Sequence, residues 1–275
     1  MKHGFKINTV RGVTYLSVPA FDETGLAVTC FSTRLGGVSA PPLATMNLGF
    51  GRGDERSNVL RNYEISGNAA GFDGLRTVAF SQIHGNGVCV ANDSDAGEAF
   101  SACKREYDAV VTNTPNLPIA TYHADCVPVF LLDTKSRAVG VAHAGWRGTA
   151  MKTPASAIHK MEMSFGSDPR DILAAVGPSI GVCCFETDRD VPDAMLASFG
   201  DEAKKHIISN GNGKYHVSLA DLNVFTLLSS GIPDENITVS DECTCCKNDL
   251  YWSHRATGGL RGTMAAFIML KGEKQ

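Results

Sequence analysis

The sequence lacks three features that would each assign it to a particular class of protein. Its 275 residues carry 25 Lys and Arg against 29 Asp and Glu, with no basic block, whereas a nucleic-acid-binding protein normally presents a basic stripe. The longest clearly apolar run, Met264–Leu270, is far shorter than the ~20 residues of a membrane span. Residues 1–8 contain no apolar segment typical of a secretory signal. We therefore expect a cytoplasmic protein that binds neither nucleic acid nor a membrane.

Cysteine, by contrast, is present in an unusual number. There are nine cysteines, an odd count that does not suit a fully paired disulfide framework. Without a secretory signal, we expect all of them to be reduced. A reduced cysteine is a small packing residue, a reactive thiol or a metal ligand. Cys30, Cys89 and Cys103 are expected to be packing residues.

Strand and helix patterns interleave along the chain, and hairpin-type turns join some of the strands. Aliphatic and β-branched runs predict strands at positions 12–18, 26–32, 77–83, 88–91, 107–111, 119–121, 127–132 and 138–142. Helices are predicted over 57–70, from Thr153-Pro154 to Gly166, and from the capping box Ser218-Leu-Ala-Asp221 to Gly231. No repeat or flexible linker interrupts the chain. These patterns predict an α+β fold, a single layered domain over residues 1–275 with mixed β-sheets flanked by helices.

Three segments place a cysteine or a histidine beside a turn at the end of a predicted strand. They are Gln82-Ile-His84-Gly-Asn-Gly87, Tyr122-His-Ala-Asp-Cys126-Val-Pro128 and Val141-Ala-His143-Ala-Gly-Trp-Arg147-Gly148. One cysteine with two histidines is a known ligand set of catalytic zinc, and it leaves the fourth tetrahedral position open for water or substrate. The three segments together predict a metal site, although each residue alone is more typical of ordinary packing.

Strand geometry favours two of the histidines over the third. If residues 122–126 are extended, His123 and Asp125 face one side of the strand and Cys126 faces the other. His84 and His143 are therefore the favoured partners of Cys126. Asp125 remains a candidate proton shuttle, or a carboxylate that orients a ligating histidine.

Several segments together resemble the laccase-domain family. They are Phe31-Ser-Thr-Arg-Leu-Gly-Gly-Val-Ser39, the segment of Gln82 and His84, His123-Ala-Asp-Cys-Val-Pro128, His143-Ala-Gly-Trp-Arg-Gly148, Gly177-Pro-Ser-Ile-Gly-Val-Cys-Cys184 and Ser253-His-Arg255. The resemblance runs from about residue 28 to residue 268, and the His-Ala-Gly-Trp-Arg-Gly segment is highly specific. Members of this family were once called multicopper polyphenol oxidases and are now described as purine nucleoside phosphorylases with adenosine deaminase activity.

The resemblance implies a zinc ion held by His84, Cys126 and His143, with copper as the metal of the older family name. It also implies action on adenosine, inosine and methylthioadenosine, which phosphate cleaves to the free base and the (methylthio)ribose 1-phosphate. The family's usual Gly-Arg-Met near the C terminus is here Gly259-Leu-Arg-Gly-Thr-Met264. This departure places Arg261 out of simple register, so no role is assigned to it.

Phosphorolysis requires groups that hold phosphate, and arginine side chains at glycine turns are suited to this task. Arg34 and Arg147 each lie just before such a turn, and Arg255 is a third candidate. The His-x-Glu and Pro-Cys-x-x-Cys patterns of the usual zinc deaminases do not occur in the sequence. A deaminase activity would therefore need another proton shuttle, for which Asp125 is the candidate.

A second group of cysteines, Cys183-Cys184 with Cys243-Thr-Cys245-Cys246, raises the hypothesis of a structural zinc site. However, Cys-x-Cys-Cys is not a standard zinc-finger spacing, and neighbouring cysteines face opposite ways in an extended chain. We therefore expect these cysteines to be redox-sensitive or simply packed.

Three other functions are alternatives to a zinc-dependent phosphorylase. Cys126 and His143 match the nucleophile and the base of a cysteine hydrolase that needs no metal. A copper-dependent phenol oxidase would need more histidine ligands for several copper ions than the eight histidines of this chain readily offer. A non-catalytic module would bind a purine or a partner in the same pocket without turnover. The patterns do not predict an oligomeric state.

Overall fold

The computed structural model describes residues 2–101 and 105–272, and Cys103, expected to be a packing residue, lies outside these ranges. The strands are β1 (Lys2–His3), β2 (Lys6–Val10), β3 (Val13–Ser17), β4 (Ala27–Ser32), β5 (Val88–Val90), β6 (Ala109–Thr112), β7 (Ile119–His123), β8 (Val127–Asp133), β9 (Ala138–Ala144), β10 (Ile172–Val176), β11 (Glu186–Thr187), β12 (Ile207–Ser209), β13 (Tyr215–Val217), β14 (Ile237–Val239) and β15 (Met264–Leu270). The α-helices are α1 (Pro19–Asp22), α2 (Arg56–Ala70), α3 (Trp146–Ala150), α4 (Thr153–Phe165), α5 (Asp190–Phe199), α6 (Asp201–Lys204), α7 (Leu219–Ser229) and α8 (His254–Thr257). Within the described ranges, no helix is both long and apolar enough to cross a membrane.

Most of the strands belong to two large sheets. The seven-stranded sheet has the order β1-β14-β10-β8-β9-β6-β5. Its central pairs are antiparallel and its outer pairs are parallel. The five-stranded sheet, in the order β2-β3-β4-β15-β7, is antiparallel throughout. A small antiparallel sheet has the order β11-β13-β12.

The two large sheets pack face to face because their strands are apolar on both sides. In β15, Met264, Ala266 and Ile268 are buried between the sheets, whereas Phe267 and Met269 pack on the opposite side in the cluster that includes α2. Successive side chains of a strand point to opposite faces, so a strand that is apolar at every position must be covered on both sides.

The seven-stranded sheet shows the same alternation. Phe130 and Val141 point into the core between the sheets, while Val129 and Ala142 pack on the other face with Met161 of α4. Helix α7 joins this outer cluster. The resulting order of layers is helix, sheet, sheet, helix, and it confirms the α+β fold with mixed sheets flanked by helices. The assignment of residues 1–275 to one domain stays a prediction.

The predicted strand over 77–83 is wrong as a continuous strand. Val78 and Ser81 form only isolated bridges, to Ile119 and Glu106. Beyond them, the backbone N–H groups of residues 83–85 donate to the carboxylate of Asp108 rather than to a neighbouring strand. A backbone donor that a side chain satisfies is not available to a strand ladder.

Residues 122–126 are also not extended throughout. β7 ends at His123, Asp125 has a left-handed φ of 86°, and β8 begins at Val127 in the other large sheet. The chain therefore crosses from one sheet to the other through a tight turn. Cys126 lies at the end of this turn, immediately before β8. In the pairing of β8 with β9, Pro128 is opposite His143, so Cys126 and His143 lie near the same end of the two strands.

Candidate metal centre

Three side chains predicted from the sequence converge at this crossing. His84, Cys126 and His143 each offer a ligand atom, and these atoms all lie within 4.8 Å of one another. His143 is buried, Cys126 is partly buried and His84 is exposed. One thiolate and two imidazoles are a donor set that binds divalent transition metals such as zinc or copper. The residues therefore fit a metal ion.

A buried carboxylate that sequence reasoning missed holds two of these ligands in place. Asp108, immediately before β6, accepts a hydrogen bond from Nδ1 of His143 at 2.9 Å. The same carboxylate accepts from the backbone N–H groups of His84, at 3.0 Å, and Gly85, at 2.7 Å. A proton fixed on Nδ1 leaves Nε2 of His143 as the nitrogen that can bind a metal.

Asp108, rather than Asp125, is thus the carboxylate that orients a ligating histidine. The available signal in the sequence is an acidic residue at the start of the otherwise apolar run Asp108-Ala-Val-Val111. A carboxylate that is fully buried, as Asp108 is, needs several donors to remain stable in its charged form. Burial raises the pKa of Asp108, but the hydrogen bonds from His143 and from Gly85 outweigh it and lower the pKa overall.

Replacing Asp108 with asparagine is expected to weaken metal binding about 10–100-fold. An amide N–H₂ facing Nδ1 would favour the tautomer of His143 that carries its proton on Nε2, which then cannot bind a metal. Asp133→Asn is the matched control, because Asp133 is equally buried but accepts from the backbone of Lys135 and Ser136 in a turn away from the cluster. Competition with a chromophoric chelator measures the affinity, and equal affinities in both variants would contradict this role.

The protonation of Cys126 and His143 is mutually dependent. Burial raises the pKa of the Cys126 thiol, but the positive charge of His143 and hydrogen bonds from His143 and His84 outweigh it, and the pKa is lowered to about 6. Burial lowers the pKa of His143, but the Cys126 thiolate and Asp108 outweigh it, and the pKa is raised to about 9. Cys126 is therefore a thiolate at neutral pH, which is the form that binds metals.

Gly145 leaves room for the side chains of Cys126 and His84. A Cβ atom on Gly145 would lie 2.9 Å from Sγ of Cys126 and 3.0 Å from Cδ2 of His84. Both distances are shorter than van der Waals contact, so two ligands would have to move. This requirement explains the glycine before Trp146 in a segment whose other residues form the first turn of α3.

Gly145→Ala is therefore expected to reduce metal affinity about tenfold or more, since overpacking of this kind typically costs about 1–3 kcal/mol. Gly87→Ala is the control, because a Cβ there meets Tyr107 at an ordinary 3.5 Å. Isothermal titration of the metal into both metal-free variants measures the difference. Wild-type affinity in Gly145→Ala would show that the ligands do not need this space.

His123 is close to the cluster but its ring nitrogens are already used. Nε2 lies 2.8 Å from Oγ1 of Thr121, and Nδ1 lies 3.1 Å from the carbonyl oxygen of Cys126. Burial and the nearby charge of His143 lower its pKa well below the usual value, so the ring is neutral. Nδ1–H then donates to the carbonyl of Cys126. The sequence argument ranks His123 below His84 and His143, and the structure groups the latter two, without His123, with Cys126. The feature that separates His123 is this hydrogen bonding rather than strand alternation.

Asp125 fastens the turn that carries Cys126. Its Oδ1 accepts from Oγ1 of Thr244 at 2.7 Å, and its Oδ2 accepts from the backbone N–H of Arg255 at 2.7 Å. Its own carbonyl accepts from the backbone of Ile180. Three separate segments are thus tied to the residue next to Cys126.

Two cavities meet at two of the candidate metal ligands, His84 and Cys126. The first cavity, of about 380 Å³, and the second cavity, of about 340 Å³, share the lining residues His84, Ala124, Cys126 and Arg261. The first cavity is otherwise lined by polar and aromatic side chains that include Arg52, Gln82 and Tyr122. The second cavity is lined on its apolar side by Trp146, Ile180, Phe185 and Leu219.

The three arginines predicted from the sequence lie in two different places. Arg147 and Arg255 line the second cavity, together with Asp125. Arg147 stacks over the ring of Trp146 at 4.1 Å, and Arg255 donates to the carbonyls of Cys184 and Glu186. Arg34 lines neither of the two cavities, because its guanidinium lies 4.0 Å over the ring of Trp252 and donates to the carbonyl of Asn248.

Two further arginines, to which the sequence analysis assigns no role, lie in the first cavity beside the candidate metal ligands. Arg52 and Arg261 line the first cavity, and both donate to Oγ1 of Thr263. Nε of Arg261 is buried and has no hydrogen-bond partner in the described part of the chain. Burial and the charge of Arg52 lower the pKa of Arg261 to about 10. Arg52 lies between Gly51 and Gly53, a setting similar to that which identified Arg147.

A half-buried arginine whose Nε has no partner in the described part of the chain, beside a second arginine, is typical of a site that binds an anion. Within residues 2–101 and 105–272, neither Arg52 nor Arg261 forms an ion pair with a carboxylate. Arg52 is exposed and Arg261 is half-buried, and two positive charges this close repel each other unless an anion binds between them. The first cavity therefore offers an anion subsite directly beside His84, Cys126 and His143.

Known proteins resemble this chain over most of its length. The family model described as multi-copper polyphenol oxidoreductase laccase matches residues 28–271. The purine nucleoside phosphorylase YlmD of Geobacillus stearothermophilus is 34% identical over 245 residues, 88% of this chain and 89% of that protein. The purine nucleoside phosphorylase YfiH of Escherichia coli is 34% identical over 255 residues, 93% of this chain and 98% of that protein. The crystal structure of the Geobacillus YlmD has a TM-score of 0.90 at 32% identity and covers 98% of this chain and 99% of its own.

The matched region contains every segment on which the family resemblance of the sequence was based, from the strand β4 to the strand β15. The structural similarity extends beyond it to nearly the whole chain. This chain belongs to the laccase-domain family, whose family model carries the description multi-copper polyphenol oxidoreductase laccase.

Proposed function

We propose that this chain is a zinc-dependent purine nucleoside phosphorylase that cleaves adenosine, inosine and methylthioadenosine. One observation carries the proposal: a cavity that contains two arginines and a cavity with apolar walls meet at His84 and Cys126, and the third candidate ligand, His143, lines the first of them. A phosphorolysis site needs both, because phosphate and an apolar purine must reach the same sugar carbon. The names of the relatives support the same activity.

Zinc is the metal that this ligand set suits best. One cysteine and two histidines occur in catalytic zinc sites, whereas several copper ions would need more histidines. In the described part of the chain, histidines contribute to only one of the two clusters of metal-binding side chains. A zinc ion held by His84, Cys126 and His143 would supply Lewis-acid polarisation and orientation of a bound oxygen atom.

We assign phosphate to the first cavity, at Arg261 and Arg52. The unpartnered Nε of Arg261 supports this assignment, since a phosphate oxygen would satisfy it. Arg147 and Arg255 approach from the second cavity, where we assign them to the sugar or to the far side of the phosphate. Arg34 is not part of this assignment, since its guanidinium stacks on the ring of Trp252.

We assign the purine to the second cavity, against Trp146 and Phe185. In the reaction, a phosphate oxygen forms a bond to C1′ of the ribose and the C1′–N9 bond breaks, with its electron pair moving to the purine. The base gains one proton and hydrogen phosphate loses one, so the two products are the free base and ribose 1-phosphate. Asp125, which lines the second cavity, is our candidate for relaying this proton.

Incubating the purified holoenzyme with each nucleoside and phosphate tests the proposal. Chromatography is expected to show release of hypoxanthine from inosine, and of adenine from adenosine and from methylthioadenosine, each together with the sugar phosphate. A Cys126→Ala variant provides the background. Base release that does not exceed this background for any of the three nucleosides would overturn the proposal.

We extend the proposal to adenosine deamination at the same site. Water would replace the amino group at C6 of the purine and release ammonia, with Asp125 as the proton shuttle. Adenosine without phosphate is the appropriate substrate, since phosphorolysis cannot then proceed. Formation of inosine and ammonia in equal amounts is expected, and unchanged adenosine would remove this activity from the proposal.

A metal-free cysteine hydrolase is the second candidate, and one observation favours it. Cys126, His143 and Asp108 form a chain of hydrogen bonds like that of a nucleophile, its base and an orienting carboxylate. His84 also forms a hydrogen bond with Cys126, and a hydrolase of this type would not need this second histidine. Stoichiometric zinc that is lost in His84→Ala would favour the phosphorylase, whereas a metal-free protein that iodoacetamide alkylates rapidly at Cys126 would favour the hydrolase.

A further inference from the structure

A second cluster of metal-binding side chains lies outside the candidate active site. The thiol cluster comprises Cys183 and Cys184 from the segment before β11, and Cys243 and Cys246 from the segment after β14. Its four Sγ atoms all lie within 4.8 Å of one another. Sγ of Cys246 lies 3.6 Å from that of Cys183 and 3.4 Å from that of Cys184. Four thiols from two segments therefore converge on one point.

These separations match a tetrahedral thiolate site better than a set of disulfides. Zn–S bonds of about 2.3 Å in a tetrahedron place the sulfur atoms about 3.8 Å apart. A disulfide requires about 2.05 Å and pairs each sulfur with only one other. Cys246 is instead equally close to two sulfurs, and its neighbours Cys183 and Cys184 are adjacent in the sequence. One ion at the centre accounts for all four positions.

The backbone around the cluster donates to sulfur, as it does in metal–thiolate sites. The N–H of Gly181 donates to Sγ of Cys243 at 3.2 Å, and the backbone of Cys245 and Cys246 hydrogen-bonds to the same sulfur. Such N–H groups stabilise the negative charge of a bound thiolate. A Cβ on Gly181 would lie 3.1 Å from Sγ of Cys183, so the glycine also leaves the room that the thiols need.

The sequence-based argument against zinc fails because both segments turn. Cys184 and Phe185 donate their backbone N–H groups to the carbonyl of Gly181, so the adjacent cysteines are not extended and both thiols reach the centre. Lys247 donates to the carbonyl of Cys243 in a second turn. The pair that converges there is Cys243 and Cys246, with two residues between them, and this is a common zinc-ligand spacing. Cys245 is not a member of the cluster.

The thiol cluster joins the segment whose Ile180 and Phe185 form one wall of the second cavity to the segment that carries Cys243 and Cys246. Ser179 and Cys243 form a bridge between them, and the carbonyl of Cys184 accepts from Nη1 of Arg255 at 2.7 Å. Thr244, next to Cys243, donates to Asp125 in the turn that carries Cys126. Whatever holds the four thiols together therefore also fixes Arg255 and Asp125.

We propose that the thiol cluster binds a second zinc ion as a closed tetrathiolate site that holds this wall of the cavity in place. Four protein ligands leave no open position, so this zinc has a structural rather than a catalytic role. Exposed thiols such as those of Cys183 and Cys246 are prone to oxidation, and coordination protects them from it. The proposal does not depend on the reaction that the chain catalyses.

Metal analysis of matched variants tests this site. Wild-type protein, kept reduced with a phosphine and dialysed against trace zinc, is expected to retain one zinc more per chain than Cys246→Ser does. Cys245→Ser is the matched control, because Cys245 is not one of the four converging residues and its hydrogen bond to Cys184 can be kept by a serine hydroxyl. This variant is expected to retain the wild-type amount of zinc. Equal zinc in all three proteins would overturn the proposal.

A second measurement applies even if Cys246→Ser does not fold. The double variant His84→Ala/Cys126→Ala removes two of the three ligands of the first centre and leaves the thiol cluster intact. Zinc-edge X-ray absorption of this variant is expected to show four sulfur ligands at about 2.3 Å. A variant that is folded and holds no zinc, or zinc with nitrogen and oxygen ligands only, would contradict the tetrathiolate site.

Discussion

Cys126→Ser is expected to lower kcat/KM for inosine phosphorolysis by about 10³-fold or more. The thiolate is the only anionic ligand among the three side chains proposed to bind the metal, and removing it is expected to remove most of the affinity for a divalent ion. Loss of Lewis-acid stabilisation of several kcal/mol corresponds to about three orders of magnitude in rate. The same loss is expected when a strong chelator removes the metal from the wild-type protein, with recovery upon addition of zinc.

Cys245→Ser serves as the control for this variant as well. Its thiol lies outside both groups of metal-binding residues in the described part of the chain, so activity and zinc at the first centre are expected to persist. The steady-state rate of hypoxanthine release, measured beside the zinc content of each variant, provides the comparison. Full activity in a zinc-free Cys126→Ser protein would show that the metal and its thiolate ligand are dispensable.

Arg261→Met is expected to reduce kcat/KM for phosphate about 10²-fold, which corresponds to the loss of one or two charged hydrogen bonds. Its effect on stability is expected to be neutral or favourable. Nε of Arg261 is buried without a partner, and burial together with the charge of Arg52 already disfavours its charged form. A loss of phosphate affinity without a fall in Tm would therefore separate an anion site from a structural arginine.

Arg34→Met is the matched control, since the sequence predicts a phosphate ligand at Arg34 and assigns no role to Arg261. Its guanidinium packs on Trp252 and donates to Asn248, so we expect a lower Tm and an unchanged KM for phosphate. Varying the phosphate concentration at saturating inosine gives the KM for phosphate of each variant, and thermal unfolding gives its Tm. The assignment fails if Arg34→Met raises the KM for phosphate and Arg261→Met does not.

Seven of the twelve strands in the two large sheets, β3 to β9, were predicted from their sequence patterns, whereas β1, β2, β10, β14 and β15 were not. Burial on both sides leaves the clearest pattern in two of them. β8 and β9 are runs of aliphatic residues joined by the polar turn at residues 134–137, and both were predicted to within two residues. The run at 77–83 also fits a strand pattern, but the carboxylate of Asp108 competes for the backbone donors at its end. That competition depends on a residue far along the chain, so no local pattern reports it.

The convergence of the three candidate metal ligands was predictable for a different reason. His84, Cys126 and His143 each lie beside a turn in a distinctive segment, and the structure brings their ligand atoms together. Asp108, by contrast, lies in an ordinary strand pattern, and its role follows only from tertiary contact with His143. Arg261 was set aside because of its register, yet it lines both cavities.

The second group of cysteines shows the same limit of local patterns. An extended chain would separate the thiols of Cys183 and Cys184, but the turn that begins at Gly181 brings both to one side. The interpretation of these residues as merely packed or redox-sensitive does not account for four sulfur atoms within 4.8 Å. Turn geometry, rather than residue spacing alone, decides which thiols can share an ion.

The most direct test of the central claim is the sugar product that the holoenzyme forms from inosine. With phosphate present, the account predicts ribose 1-phosphate and hypoxanthine in equal amounts, and no base release when phosphate is omitted. Phosphorus NMR detects the sugar phosphate, and chromatography quantifies the base. Release of free ribose at a rate independent of phosphate, or no cleavage of inosine, adenosine or methylthioadenosine by zinc-loaded protein, would contradict it.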